Sequence, residues 1–433
     1  MREMSRSPES RALPQPHFAP FAHLGAATPG GTAVAVGRPG SAGLAEARLL
    51  LPLTAVSRAH TTRTKVASEV LGAALEESVG SLAVTRVEVR ADRLVIALRT
   101  FGEDLPDVAA RVAAALSGDG LFAPDRVRTA AARVGARITA AAGHPAAVAR
   151  AGFLAAVYGD HPYGIPPTAA HAAHVTGAEL TALLAGPPAA GRRAVVVGSG
   201  AADALLAAAV ALLPAPTEHA GDGDGTAPEP GRPRTEPVTL LLPEAPQTLI
   251  RLGGVVPGRG DGSYPALQLA VLMLGGYYGS RLTRVLRERE GLAYAPRAVL
   301  DPLGRTAAFT VEADVRTDGA ARALALIREE LHRLADGGFT AEELAGACNY
   351  AVGSMAMACS SRSGTASTLT GVLASGLEPH WLRDYENRLR ATTRDDVEGV
   401  AAACLASAPT GVVVAPAPAP GLPSTAPGSP PAG

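Results

Sequence analysis

The sequence predicts an α+β protein of two similar domains, each a mostly antiparallel sheet with helices packed on one face, together forming a clamshell. Three observations lead there. The chain has 433 residues, more than one hydrophobic core ordinarily serves. A stretch poor in core-forming residues, "PTEHAGDGDGTAPEPGRPRTEP" at 216–237, divides it into two blocks of nearly equal length. Both blocks mix short apolar strands with long helices. The expected organisation is a disordered N-terminus over 1–20, a first α+β domain over 21–215, a linker over 216–237, a second α+β domain over 238–415, and a disordered Pro/Ala/Gly tail over 416–433.

In the first block "EARLLLPLTAV" and "RLVIALRTF" read as strands, rich in Leu, Val and Ile. Between them "RTKVASEVLGAALEES" reads as a helix. "LPDVAARVAAAL" and "APDRVRTAAARVGARITAAA" follow as Ala-rich helices. The second of these opens with Pro124, which suits a first helical turn because the N–H it lacks has no partner there anyway. "RRAVVVGSG" is a short buried strand. The second block repeats the plan with strands "QTLIRLGGVV" and "GRTAAFTVEADV". "GAARALALIREELHRLADGG" is an amphipathic helix: Leu324, Ile327, Leu331 and Leu334 recur at three and four residues, and Gly337–Gly338 closes it. "TAEELAGACNYAVGSMAMACS" and "TRDDVEGVAAACLAS" are further helices, each with a Thr cap and acids in the first turn.

Hydrophobic residues make up 47% and charged ones 18%, and the net charge is −1. That balance leaves no electrostatic footprint for nucleic acid or an anionic membrane. The most apolar stretch, "ALLAAAVALLP" at 204–214, is too short to span a bilayer, and the first residues hold no apolar signal-peptide core. Cys348, Cys359 and Cys404 are odd in number and form no CxxC pair. They argue against a disulfide framework or a cysteine zinc site and for a reducing, cytoplasmic setting.

Three motifs bear on function. "VVVGSG" before Asp203 follows a strand and opens a helix, but Asp203 stands where a dinucleotide fingerprint needs its third glycine, so the turn reads as structural. His171 and His174 lie at i, i+3 without an acidic or thiol neighbour to complete a metal site, and "DHPYG" at 160–164 reads as a turn set by Pro162 and Gly164. "RVLREREGLAYAPRAV", 284–299, opens as a charged helix and closes as a strand, switching at Gly291 with Tyr294 just beyond. Taken alone, Arg287 is one more charge on a solvated face, pairing with Glu288 or Glu290 at little energetic gain.

The longer stretch "LGGYYGSRLTRVLREREGLAYAPRA", 274–298, resembles a signature of the pitrilysin/insulinase-type zinc peptidases, the inverzincins. It is most similar to mitochondrial processing peptidase and its two-chain bacterial relatives. There a helix, a Gly-Leu-x-Tyr turn and a strand of the second domain carry an arginine and a tyrosine seven apart, the spacing of Arg287 and Tyr294. "FAPDRVRTAAARVGARITAAAGHPAAVARAGFLAAVYGDHPYGIPP" resembles the long first-domain helix and the turn after it. "GGFTAEELAGACNYAVGSM" and "TRDDVEGVAAACL" resemble later second-domain helices. The resemblance runs in order from about residue 25 to 415.

Active members carry HxxEH and a distant glutamate, and here the pattern departs. The matching helix reads "VASEV", with Val66 and Val70 at the histidine positions, Glu69 at the general base's, and Arg137 at the third ligand's. Valine has no lone pair for a metal and a guanidinium repels one. The resemblance therefore implies no metal or cofactor in this chain and zinc in a partner. It implies a zinc-less subunit of a heterodimeric metalloendopeptidase, inactive alone, paired with an HxxEH-bearing subunit and acting on peptides. Arg287 and Tyr294 are the catalytic candidates: Arg287 for substrate backbone carbonyls, Tyr294 as a donor to the oxyanion. The bacterial relatives point to removal of leader peptides from ribosomally made natural products. The competing reading is a non-proteolytic structural or peptide-binding scaffold subunit of the same fold, like core subunits of respiratory complexes; a scaffold has no need of the Arg287/Tyr294 spacing. A self-sufficient hydrolase lacks any identifiable Ser/His/Asp constellation.

Overall fold

The computed structural model of the chain describes residues 16–18, 22–37, 43–53, 58–185, 191–213, 236–407 and 409–426. The expected linker lies outside the described residues except for 236–237, as do 1–15 of the expected N-terminal segment and 427–433 of the tail.

In the first half, β1 (Leu24–Thr28), β2 (Gly31–Gly37), β3 (Leu44–Pro52), β4 (Ala83–Val89), β5 (Arg93–Phe101) and β6 (Arg193–Gly198) form one sheet in the order β1-β2-β6-β3-β5-β4. In the second, β7 (Val238–Leu241), β8 (Thr248–Pro257), β9 (Arg297–Leu303), β10 (Thr306–Val315) and β11 (Thr410–Ala415) form another, β7-β11-β8-β10-β9. Each sheet has a single parallel pair, β2 with β6 and β7 with β11; every other pairing is antiparallel. In each, the last strand of the half slots in beside the first strand of a shared core pattern, so the two halves are copies of one plan.

The helices of the first half are α1 (His60–Val79), α2 (Leu105–Ser117), α3 (Pro124–Ala141), α4 (Pro145–Tyr158), α5 (Ala169–Ala173), α6 (Gly177–Ala185) and α7 (Ala202–Leu212). Those of the second are α8 (Tyr264–Val271), α9 (Ala320–Ala335), α10 (Ala341–Ala358), α11 (Arg362–Ala374), α12 (Trp381–Ala391) and α13 (Arg394–Val400). The sequence signals for their ends hold. Pro124 starts α3; Thr340 with Glu343 and Thr393 with Asp396 form reciprocal capping boxes; Gly337 ends α9 at φ 68°.

The expected α+β fold of two similar sheet-and-helix units is the observed one, with one addition: the halves exchange helices. α4 of the first half lies on β8 and β11 of the second sheet, and α11 of the second half lies on β3 and β6 of the first. The stretch expected to be one long helix and a turn is thereby two helices, broken around Gly143 and restarted at Pro145. The fit of α4 is close: a Cβ on Gly152 would come within 2.8 Å of Leu240 and 3.0 Å of Val412. The reason lies in the strands. β3 and β6 are buried nearly end to end, the charged Glu46 and Arg48 of β3 included, so both their faces need cover.

The outermost described residues are tied down too. Phe18 is buried in the second half's core, its N–H donating to a Glu386 carboxylate oxygen at 2.8 Å, with His17 beside the same oxygen at 2.9 Å. Within the stretch expected to be a tail, Thr425 bridges Thr239 on β7, and the Thr239 N–H donates to the Ser424 carbonyl at 3.0 Å. An otherwise open sheet edge accepts these backbone groups.

Candidate functional site

The site on the second half begins where α8 runs out. At Gly275 the backbone leaves helical geometry (φ −159°, ψ 16°), and an added Cβ there would lie 2.5 Å from the Ala298 nitrogen of β9. Only glycine lets the helix end approach the strand so closely. Tyr277 is extended and a turn follows it, and the consecutive tyrosines part company: Tyr277 stacks on Tyr350 of α10 (5.0 Å, 25°), while Tyr278 stands 69% exposed. Burial pushes the Tyr277 hydroxyl above its usual range.

A wide-turned helical segment, Thr283–Arg289, follows, with i→i+5 bonding of the kind often found at functional sites. Gly291 then takes φ 63°, and the N–H groups of Leu292 and Ala293 both donate to the Leu286 carbonyl, at 2.7 and 3.2 Å. This reversal brings Tyr294 back beside Arg287. The Arg287 guanidinium carbon lies 4.9 Å from the Tyr294 ring centroid and 5.2 Å from that of Tyr278. Tyr294 is 81% exposed.

Three arginines on this segment fare differently. Arg281, buried, donates to Glu330 (3.2 Å), Glu343 (2.9 Å) and the Gly338 carbonyl. Arg284 pairs with Glu343. Burial raises the Glu343 carboxyl, but hydrogen bonds from Arg281, the Thr340 N–H and Arg284 outweigh it and hold the group below its usual range. Arg287 has only the two rings: among the described residues it has no carboxylate or carbonyl partner. The surface pairing expected of an ordinary charge does not form, because Glu290 pairs with Arg322 at 2.9 Å instead. Arg287 and Tyr294 thus sit together as their spacing implied. Tyr278, part of a doubled tyrosine inside the same quoted stretch, was not singled out from the sequence.

On the first half, α1 and α3 bring the degenerate positions together. Val66 and Val70 are 0% and 2% exposed in the core, and Glu69 pairs with Arg137 of α3, with Arg133 at 3.6 Å. The Arg137 guanidinium is thus the group that faces Glu69. These residues do not fit a metal, and among the described residues no three His, Cys, Asp or Glu side chains are placed to hold one.

The other motifs are structural. His161 caps the short turn Pro162–Gly164, and His174 bonds back to the Ala170 carbonyl at 2.8 Å. Gly198 makes room for Leu205, 2.8 Å from where its Cβ would be. Two clefts among the described residues, of about 490 Å³ between α8, α12 and α13 and about 700 Å³ along α3, do not include Arg287 or Tyr294. No helix among the described residues is long and apolar enough to cross a membrane.

Comparison with known proteins fits this geometry. Residues 193–350, which contain the Arg287–Tyr294 turn, match the family described as the peptidase M16 inactive domain. A protein of Mycobacterium bovis named an uncharacterized zinc protease is 33% identical over 218 residues, 47% of this chain and 46% of that protein. The chain spans about half the length of the curated relatives it matches. Among solved structures, a peptidase M16 inactive domain from Pseudomonas fluorescens superposes with a TM-score of 0.79 at 21% identity, covering 92% of this chain and 99% of that one. A protease from Helicobacter pylori does so at 0.78 and 16%, covering 92% and 100%. Residues 193–350 are thus similar to the peptidase M16 inactive domain, and the double-sheet fold is the one these structures share.

Proposed function

We propose that this chain is the zinc-less subunit of a heterodimeric metalloendopeptidase, presenting Arg287 and Tyr294 to the HxxEH site of a partner subunit in the cytoplasm. The observation that carries this reading is the state of Arg287: a half-buried cation steadied by aromatic rings, with no acceptor among the described residues. Such a group is equipped to donate to the backbone carbonyls of an extended peptide. The exposed Tyr294 hydroxyl beside it is placed to donate to the oxyanion that forms as a peptide carbonyl is attacked. Tyr294 stands 81% exposed, which leaves its hydroxyl open to a second molecule that closes the site. Zinc, supplied by the partner, activates the attacking water; Val66, Val70 and Arg137 leave this chain no part in holding it. The substrate class the bacterial relatives point to is leader peptides of ribosomally made natural products.

The test is reconstitution. Alone, the chain is expected to cleave no peptide; mixed with an HxxEH-bearing subunit it is expected to restore cleavage, and Arg287→Ala or Tyr294→Phe to abolish most of it while the pair still assembles. Full activity of both variants in the pair would leave the scaffold reading in its place.

A further inference from the structure

We infer that Tyr278 is a positioning residue for Arg287: its ring steadies the guanidinium so that the N–H donors stay free and aimed for a peptide's backbone. This rests on the proposed function and extends it. A surface arginine can be fixed in two ways. Carboxylates fix it by consuming donors, as Glu330 and Glu343 do for Arg281. Aromatic faces fix it through their quadrupole and take none of its N–H groups. Arg287 is held in the second way, by two rings at nearly equal distance.

Tyr294 alone is a poor holder, because the same side chain is asked to turn its hydroxyl to a substrate. Tyr278 has no such second duty. It is too exposed to serve the core, and its hydroxyl has no recorded partner among the described residues. Its placement is also built rather than incidental. The Gly275–Gly276 break ends the helix, Tyr277 is anchored on Tyr350, and the following residue is thereby turned toward the arginine. A second ring lets Tyr294 move during a reaction cycle without releasing Arg287.

The test uses two readouts. In the full chain with isotope-labelled arginine, the Arg287 side-chain resonance, identified by its loss in Arg287→Ala, is expected to shift away from its ring-shielded position in Tyr278→Ala and Tyr278→Leu, and to stay in Tyr278→Phe. In the pair reconstituted with an HxxEH-bearing subunit, on a quenched fluorescent peptide that the wild-type pair cleaves, Tyr278→Ala is expected to raise KM about two- to five-fold with kcat unchanged, the size of an exposed cation–π contact. Tyr278→Phe is expected to restore the KM. An unmoved resonance in Tyr278→Ala overturns the inference. So does an unchanged KM where Arg287→Ala raises it, and in that case the proposed function stands. If Arg287→Ala itself leaves the kinetics of the pair untouched, it is the proposed function that falls.

Discussion

The region around Glu69 in the first half and the region around Arg287 in the second are built alike, each on a helix leaning on its own half's framework, yet they reach opposite electrostatic ends. Glu69 is answered from within: Arg137 and Arg133 surround it, and Val66 and Val70 on the same helix are sunk in the core. Arg287 is answered by nothing ionic, while its helical neighbours Arg281 and Arg284 both are. A closed ion pair on a partly exposed surface does little beyond holding shape. A cation kept unpaired and stacked retains binding capacity. The contrast teaches that, under the proposed function, what this chain contributes to chemistry lies in its second half.

The strongest way to break that contrast is at the phenol. Tyr294→Phe removes one hydrogen-bond donor to the oxyanion and is expected to cut the turnover of the reconstituted pair about 10²–10³-fold, with the chain's melting temperature unchanged; kinetics of the pair and calorimetry of the chain read the two. Next is Gly275→Ala, whose Cβ collides with the β9 backbone. It is expected to cost about 1–3 kcal/mol in denaturant unfolding and to misplace both Tyr278 and the Arg287 segment. Gly291→Ala meets no atom within 4 Å, so its cost is that of a left-handed backbone alone, about 1–2 kcal/mol.

Two histidines of the first half can be probed by pH. His60 is 1% exposed, and burial, aided by the charge of Arg63, pulls its imidazole below 6.5 despite a hydrogen bond to the Ala91 carbonyl. Burial and then His60 do the same to His161. The folded chain keeps both rings neutral where the unfolded chain takes up protons. Stability from this source is therefore complete above about pH 6.5 and lost as pH falls through the lower folded values. Melting temperatures recorded downward from neutral pH check it; a flat profile would remove the claim. The smallest effect is expected at the closed pair. Glu69→Gln should change stability by less than about 1 kcal/mol and leave cleavage by the pair as it was. A large loss of activity there would show that the first-half position still works.

Much of this was legible beforehand. The strands "RLVIALRTF" and "QTLIRLGGVV", the Thr-capped helices and the Gly291 switch all stand where local chemistry places them, because capping and turn residues act within a few positions. The pairing of Arg287 with Tyr294 was expected from the resemblance of 274–298 and not from the residues alone. "GTAVAVG" (β2), the edge strand β4 and the sheet that α4 covers were not legible. Small residues carry weak β signals, and nothing local to "PAAVARAGFLAAVY" says which sheet it will cover. The clue lay elsewhere, in "RLLLP" and "RAVVVG", whose unbroken apolar runs already demanded two covering layers. Tyr278 escaped because a doubled tyrosine does not say which of its rings faces the arginine; only the helix break at Gly275 does.

The exchange of α4 and α11 has a mechanical corollary. Each half lacks a lid that only the other supplies, so cutting the polypeptide between 213 and 236 is expected to yield fragments that complement each other but are poorly folded singly. In the proposed pair, halves interlocked in this way are expected to act as one body, so that a peptide is admitted at the seam between the two molecules and not between the halves of this one.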